Sequence, residues 1–216
     1  MVSVKICGLT RESDVRSAIA AGADRVGFVL IPTSPRYIEF KAAQALICLA
    51  AELGAEPWVV ASPQIPGLDG FVRQTPEIGA VQLHGRESPA ELAAFVKRHP
   101  LVPVVKAIGV SSKRDLATAA DFEAADAFLF DAKPPKGAKR EGGHGVSFDW
   151  SILKGFRVAD HEDWTLSGGL RPENVAEAIK ISGAHAVDVS SGVEASPGLK
   201  DLAKVKAFIA AAKARS

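Results

Sequence analysis

Two residues of this 216-residue sequence have the chemistry of a proton-transferring pair, Cys7 and Asp131. Each closes an apolar run of the kind that forms a buried β-strand, so each side chain is expected at a strand end. A thiol in that position can act as a general base if neighbouring positive charge lowers its pKa. A carboxylate at the rim of an apolar interior is partly desolvated, which raises its pKa and suits a general acid. The pair therefore predicts acid–base chemistry.

Both residues also have structural explanations. Cysteine is commonly a small buried hydrophobe, which suits Cys48 among the apolar residues of a predicted helix. For Cys7 the structural and the catalytic interpretations stand side by side, because it closes a strand and Gly8 follows it directly. A helix-capping role is disfavoured for Asp131, since a Pro-Pro pair follows it closely.

Groups that suit an anionic ligand follow three other apolar runs. Gly168 and Gly169 form one glycine-rich turn, and Ser191 and Gly192 belong to a second. Backbone N–H groups that no side chain covers can cradle a phosphate, although tight turns alone also require glycine. Arg36 follows a Ser-Pro turn, and its guanidinium suits a carboxylate or a phosphate. A solvated surface arginine is the alternative.

The elements that must position these residues are eight apolar runs that alternate with amphipathic, helix-period segments. The predicted strands are Val2–Cys7, Arg25–Leu30, Trp58–Ala61, Ala80–Leu83, Val102–Ala107, Ala127–Phe130, Trp164–Leu166 and Ala186–Val189. Most are continuous apolar runs, as expected of parallel strands covered on both faces. The helical periodicity places Leu53 and Leu202 toward the core. Eight such units predict one domain over residues 1–216, a single α/β (β/α)8 TIM barrel of the phosphate-binding type, with its site at the carboxyl ends of the strands.

Two segments depart from the regular alternation. The region Gln64–Pro76 should hold the third helix, but Pro66 and two glycines break the pattern, which predicts a short or distorted helix. The region Lys133–Val146 is rich in Pro, Gly, Lys and Arg and is long for a connection. A mobile loop over a site is one interpretation of that segment.

The composition limits the classes of function. The net charge of +1 gives no overall attraction to nucleic acid or to a membrane, so neither is expected as a partner. Two cysteines make no disulfide framework, and the first residues lack the pattern of a secretory signal, which predicts the cytoplasm. The five histidines are scattered, so we expect no metal site and interpret His84 as a hydrogen-bonded residue of the barrel.

A series of short motifs, most of them at predicted strand ends, extends along nearly the whole chain. The segments are Lys5–Thr10, Gly27–Val29 with Ser34–Ile38, Val81–Gly85, Leu129–Lys133 with Gly142–Gly145 and Phe148–Trp150, Leu166–Leu170 with Pro172, Asn174 and Val175, and Val187–Glu194. Together they resemble the phosphoribosylanthranilate isomerase family. The chain departs from that family at His144, where a small or polar residue such as Thr is more usual, and at Ala61-Ser62-Pro63 in the third unit.

This resemblance implies an Amadori rearrangement in tryptophan biosynthesis, from N-(5-phosphoribosyl)anthranilate to 1-(2-carboxyphenylamino)-1-deoxyribulose 5-phosphate. It implies that Asp131 protonates the furanose ring oxygen and that Cys7 removes the C2 proton. Arg36 would hold the anthranilate carboxylate, and the two glycine-rich turns would hold the phosphate. The implied partner is this small phosphosugar, no metal or redox cofactor is required, and a monomer and a homodimer are both compatible.

Two other functions are compatible with parts of the pattern. The related aminoaldose isomerase of histidine biosynthesis also performs an Amadori rearrangement, but it resembles a repeated half-barrel with Asp at the end of strand one. This chain has Cys7 there and no evident half-repeat. A barrel that only binds a phosphorylated metabolite, or forms half of a larger assembly, is the second alternative; the pairing of Cys7 with Asp131 argues against it.

Overall fold

The computed structural model describes residues 1–133, 147–156 and 164–214. Within these residues, eight parallel strands close into a barrel in chain order, and the last strand pairs with the first. The strands are β1 (Ser3–Cys7), β2 (Arg25–Val29), β3 (Glu56–Ala61), β4 (Ala80–Leu83), β5 (Val104–Val110), β6 (Ala127–Ala132), β7 (Trp164–Leu166) and β8 (Ala186–Val189). The predicted (β/α)8 barrel is confirmed.

Seven α-helices lie between and after the strands of the described part of the chain. They are α1 (Glu12–Ala20), α2 (Phe40–Glu52), α3 (Leu68–Gln74), α4 (Pro89–Arg98), α5 (Lys113–Ala117), α6 (Val175–Ser182) and α7 (Leu202–Lys213). Short 3-10 helices occupy Thr118–Asp121, Trp150–Leu153 and Ser191–Val193, and a hairpin of β9 (Glu194–Ser196) and β10 (Leu199–Lys200) follows β8. In the described residues, no helix combines the length and the apolar character needed to cross a membrane. Beyond Lys133, the predicted loop Lys133–Val146 lies outside the described residues, and so does His144.

The alternation of side chains along each strand separates two apolar layers. In β1, Val4 and Ile6 belong to the large core between the sheet and the helices, while Lys5 and Cys7 face the barrel interior. The interior itself contains an apolar cluster of Trp58, Ala80, Val105, Ala107 and Leu129. A smaller cluster of Cys7, Val29 and Val60 lies at the carboxyl ends of β1 to β3. Because both faces of the sheet are covered, the strands are largely apolar. Polar residues stand at interior positions and at strand starts, such as Arg25 and Glu56.

Two details of the helices test the predictions from periodicity. Helix α3 has only seven residues and starts after Gly67, whose φ of 84° favours glycine, so the predicted short helix is confirmed. The core-facing placement of Leu53 and Leu202 is wrong, because they are 39% and 41% exposed. Leu53 lies just after the end of α2, and the buried side of that helix is formed by residues such as Ile47. Leu202 is the first residue of α7, and the buried residues of that helix begin at Val205.

Candidate active site

Asp131 lies near the end of β6 and is 9% exposed. The strand extends to Ala132, two residues beyond its predicted end, so the sheet itself positions the carboxylate. Oδ1 accepts a hydrogen bond from the backbone N of Ala132 at 2.8 Å. Burial, and then the negative charge of Asp188, raise the pKa of Asp131 to about 7. The group can therefore hold a proton near neutral pH, as a general acid requires.

The turn after β7 lies directly against this carboxylate. Gly168 has a φ of 86°, and a Cβ atom at this position would lie 2.3 Å from the backbone N of Ala132 and 3.0 Å from Oδ1 of Asp131. Glycine is required here both by the backbone conformation and by the lack of space. One of the predicted phosphate-binding turns is thus adjacent to the predicted acid.

His84 follows β4 and faces the other oxygen of Asp131. Its Nε2 is 3.7 Å from Oδ2, and its Nδ1 is 3.2 Å from the amide nitrogen of Gln82. Because an amide NH2 can only donate, Nδ1 accepts and the hydrogen of the neutral ring is on Nε2. Burial and the charge of Lys106 lower the pKa of His84 to about 4, so the ring is neutral at physiological pH. This arrangement fits the interpretation of a hydrogen-bonded barrel histidine.

Cys7 closes β1 and is 7% exposed. It pairs in register with Gly27 of β2, where a Cβ atom would lie only 2.7 Å from Sγ. Burial raises the pKa of Cys7, while the positive charges of Lys5 and Lys200 oppose that effect. In the free protein the thiol form therefore predominates at neutral pH, and positive charge is at hand to stabilise a thiolate. These features suit a buried base. Cys48, which the sequence suggested to be buried, is only half-buried.

An ion pair between Lys5 and Asp188 occupies the barrel interior beside Cys7. Nζ of Lys5 is 2.9 Å from Oδ1 of Asp188 and 3.0 Å from Oε1 of Gln82. The other Asp188 oxygen accepts a hydrogen bond from the Ser167 hydroxyl at 3.0 Å. Burial lowers the pKa of Lys5, but the charges of Asp188 and Cys7 more than offset it, so the net shift is upward. Lys5 therefore carries a positive charge although it is 1% exposed.

Arg36 is 6% exposed, so the alternative of a solvated surface arginine is wrong. Its Nε and Nη2 donate to the two carboxylate oxygens of Glu194, each at 2.7 Å. Nζ of Lys200 contacts the same carboxylate at 2.9 Å. The Arg36 side chain crosses Gly8, where a Cβ atom would lie 2.4 Å from Cδ. The guanidinium is thus held in one orientation, with Nη1 outside the Glu194 pair.

The two glycine-rich turns contact each other. Gly168 and Gly169 have φ values of 86° and 65°, and the amide of Asn174 donates to the carbonyl of Gly169 at 3.0 Å. At Gly192, beside Ser191, a Cβ atom would lie 1.9 Å from the carbonyl oxygen of Leu170. The fold therefore brings the predicted phosphate-binding residues from β7 and β8 into one region.

Sequence reasoning missed much of the polar interior. Lys5, Gln82 and Asp188 each interrupt an apolar strand, and an isolated charge or amide in such a run is a signal of an inward-facing polar group. Glu194 and Lys200 lie in the β9–β10 hairpin, which the periodicity of the sequence does not predict. Their role in holding Arg36 is visible only in three dimensions.

Comparison with known proteins agrees with this geometry. The family model for N-(5'phosphoribosyl)anthranilate (PRA) isomerase matches residues 4–211. An N-(5'-phosphoribosyl)anthranilate isomerase of Cereibacter sphaeroides is 46% identical over 213 residues, which cover 98% of this chain and 99% of that protein.

Solved structures give the same result. A phosphoribosyl anthranilate isomerase from Thermotoga maritima is 39% identical with a TM-score of 0.86, over 99% of this chain and 100% of that one. Monomers generated from the dimeric enzyme of that organism are 38% identical with a TM-score of 0.81, at the same coverage. A complex with reduced 1-(o-carboxyphenylamino)-1-deoxyribulose 5-phosphate is 37% identical with a TM-score of 0.82, again over 99% and 100%. The chain belongs to the N-(5'-phosphoribosyl)anthranilate isomerase family of tryptophan biosynthesis.

Proposed function

We propose that this chain catalyses the Amadori rearrangement of N-(5-phosphoribosyl)anthranilate, an aminoaldose, to the aminoketose 1-(2-carboxyphenylamino)-1-deoxyribulose 5-phosphate. The observation that carries the proposal is Asp131, a buried carboxyl group with a pKa of about 7 at the rim of a barrel of this isomerase family. A carboxyl group that keeps its proton at neutral pH is suited to protonating a sugar oxygen.

In the first step, Asp131 gives its proton to the furanose ring oxygen. The bond between C1 and that oxygen breaks, the electron pair stays on the oxygen, and the anthranilate nitrogen forms a Schiff base with C1. The neutral ring of His84, with Nε2 directed at Oδ2 at 3.7 Å, faces the carboxylate that remains. Its N–H dipole favours the negative charge that develops there.

In the second step, Cys7 as thiolate removes the proton from C2. The electrons of the C2–H bond form an enolamine, which tautomerises to the ketone as C1 takes up a proton. The two groups act from different strands, β6 and β1, with β7 and β8 between them. A substrate held at the mouth of the barrel can therefore meet the acid and the base at different atoms.

Two binding regions suit the two anionic ends of this substrate. Arg36 and Lys200 share the single carboxylate of Glu194, so this cluster carries one net positive charge and suits the anthranilate carboxylate. Support for the phosphate site comes from the contact between the turn of Gly168 and Gly169 and the turn around Gly192. Backbone N–H groups of such turns bind phosphate without a charged side chain.

The decisive experiment supplies purified protein with phosphoribosylanthranilate, generated in situ because it is labile, and follows the loss of its anthranilate-type fluorescence. Turnover above spontaneous hydrolysis is expected for the native chain, and a loss of orders of magnitude for Cys7→Ala and for Asp131→Asn. Both variants should keep the circular dichroism of the native protein. A native chain without turnover would leave a barrel that only binds a phosphorylated metabolite.

The same proposal covers partners and location. The chemistry moves protons between two side chains and the substrate, so it requires neither a metal nor a redox cofactor. Cys7 and Cys48 are free thiols, which supports the cytoplasm as the compartment. A monomer and a homodimer both leave the proposed residues within one chain, and sedimentation equilibrium distinguishes the two states.

A further inference from the structure

The buried ion pair of Lys5 and Asp188 has no part in the reaction steps above, although it lies at the centre of the site. Lys5 is on the same face of β1 as Cys7, two residues before it, and Nζ is held by Asp188 and Gln82. Asp188 is tied through its other oxygen to Ser167, whose neighbour Gly168 approaches Oδ1 of Asp131. The pair therefore joins the strand of the proposed base to the turn beside the proposed acid.

We propose that Lys5 and Asp188 are positioning residues with separate effects. Lys5 favours loss of the proton from Cys7, and Asp188 favours retention of the proton on Asp131. This inference rests on the proposed function for its catalytic meaning. The two buried charges favour one distribution of protons, in which Asp131 is protonated and Cys7 is ionised.

The surrounding charges agree with this division. The charged or titratable groups around the two residues, within the described part of the chain, are Lys5, Arg36, His84, Lys106, Lys133, Asp188, Glu194 and Lys200. Among side chains, Lys5 makes the largest contribution that lowers the pKa of Cys7. Asp188 makes the largest contribution that raises the pKa of Asp131. Lys133 is exposed and pairs with Asp115, outside the barrel interior.

The consequence for the reaction follows from the order of the two pKa values. The pKa of Asp131 is about 7 and that of Cys7 is above the ordinary 9.0, so the form with Asp131 protonated and Cys7 ionised is a minor one. Each unit by which the difference between the two pKa values narrows raises the population of that form about tenfold. Lys5 lowers the pKa of Cys7 and Asp188 raises the pKa of Asp131, and each of these two effects narrows the difference.

The test measures the two titrations directly, without turnover. Thiolate absorbance against pH reports Cys7 in a Cys48→Ala background, with the same titration of Cys7→Ala/Cys48→Ala subtracted. The side-chain carboxyl carbon shift in NMR, assigned by its loss in Asp131→Asn, reports Asp131. We expect Lys5→Met to raise the pKa of Cys7, and Asp188→Asn to lower the pKa of Asp131, each by about one unit or more.

These directions hold even if the remaining partner of the broken pair also loses its charge. At Cys7 the contribution of Lys5 exceeds that of Asp188, and at Asp131 the contribution of Asp188 exceeds that of Lys5. The double variant Lys5→Met/Asp188→Asn removes both buried charges and should show both shifts together. It tests the proposal if either single variant fails to fold.

Lys106→Met is the matched control. Lys106 is also buried and paired, with Nζ 2.6 Å from Oε1 of Glu87, so its loss breaks an ion pair of similar burial. The Cys7 titration should be unchanged in this variant. The control does not extend to Asp131, because Lys106 lowers the pKa of His84, whose Nε2 is 3.7 Å from Oδ2 of Asp131. A Cys7 titration in Lys5→Met at or below the native pKa, or an Asp131 titration in Asp188→Asn at or above it, overturns the proposal. Turnover that survives in Cys7→Ala refutes the role of Cys7 as the base, and a native chain without turnover refutes the proposed function. The titrations decide the role of the pair in either case.

Discussion

Replacing Asp131 by Asn should abolish turnover and still stabilise the fold above neutral pH. The carboxyl group is buried and has a pKa of about 7, against an ordinary value of 3.8. Asn keeps the shape and the oxygen that accepts from the backbone N of Ala132, but it cannot ionise. The variant thus separates the proton-holding role of the side chain from its packing.

The magnitude follows from the linkage between protonation and folding. Between pH 3.8 and about 7 the unfolded chain has released a proton that the folded protein retains, so the free energy of unfolding falls as pH rises. Each unit corresponds to about 1.4 kcal/mol, and the whole interval to about 4 kcal/mol, fully lost above pH 7. Below pH 3.8 both states are protonated and the contribution disappears.

Urea unfolding of the native chain and of Asp131→Asn measures this difference. From about pH 5 to about pH 9 the advantage of the variant should grow by about 3 kcal/mol. Asp121→Asn, which changes an exposed carboxylate, is the control and should show no such growth. A constant difference between native protein and Asp131→Asn across this range would refute the assignment of Asp131 as a buried proton holder.

Three further substitutions test the geometry of the site. Gly27→Ala places a methyl group 2.7 Å from Sγ of Cys7, so turnover should fall and the free energy of unfolding should drop by about 1 to 3 kcal/mol, measured by kinetics and urea titration. Gly192→Ala places a methyl group 1.9 Å from the carbonyl oxygen of Leu170, which forces the two glycine-rich turns apart. This change should raise KM more than it lowers kcat. Glu194→Gln removes the carboxylate shared by two buried cations, which should cost about 3 to 5 kcal/mol of unfolding free energy.

Controls for these substitutions lie elsewhere in the chain. Gly70→Ala, in α3 with no atom within 4 Å of the added methyl group, should leave turnover unchanged and stabilise the helix by about 1 kcal/mol. A stable and fully active Gly27→Ala would show that Cys7 has room to move. A Gly192→Ala variant with native KM would count against the phosphate site, and a Glu194→Gln variant as stable as the native chain against the buried cluster.

The barrel was predictable because its strands carry a local signal. Parallel strands covered on both faces are continuous apolar runs, and β4, β7 and β8 match the predicted bounds. The ends of β5 and β6 did not, because Gly109 and Asp131 continue the sheet through pairing with each other, a contact that no local pattern encodes. The position of Asp131 after an apolar run was enough to single it out, but the sequence did not predict that it lies inside the strand.

The binding side of the site was less predictable. Arg36 was predicted to bind an anion, but its Glu194 partner is far along the chain, and their contact depends on closure of the barrel between β1 and β8. Lys5 and Asp188 meet for the same reason. Local sequence locates single polar groups at strand ends, whereas the pairing that gives each group its charge state arises only when the sheet closes.

Two groups of buried charges lie near Cys7, and the difference between their net charges bears on the proposed substrate binding. Lys5 and Asp188 cancel, while Arg36, Lys200 and Glu194 leave one positive charge. Burial, and to a smaller extent the charge of Arg36, lowers the pKa of Lys200. A further carboxylate beside the cluster would balance its remaining positive charge. A monocarboxylate ligand supplies that charge. In the proposed binding mode, backbone N–H groups hold the phosphate, and they bind an anion without adding another buried cation beside Cys7. Two anionic ends can therefore be held by different means without excess charge at the reacting carbons.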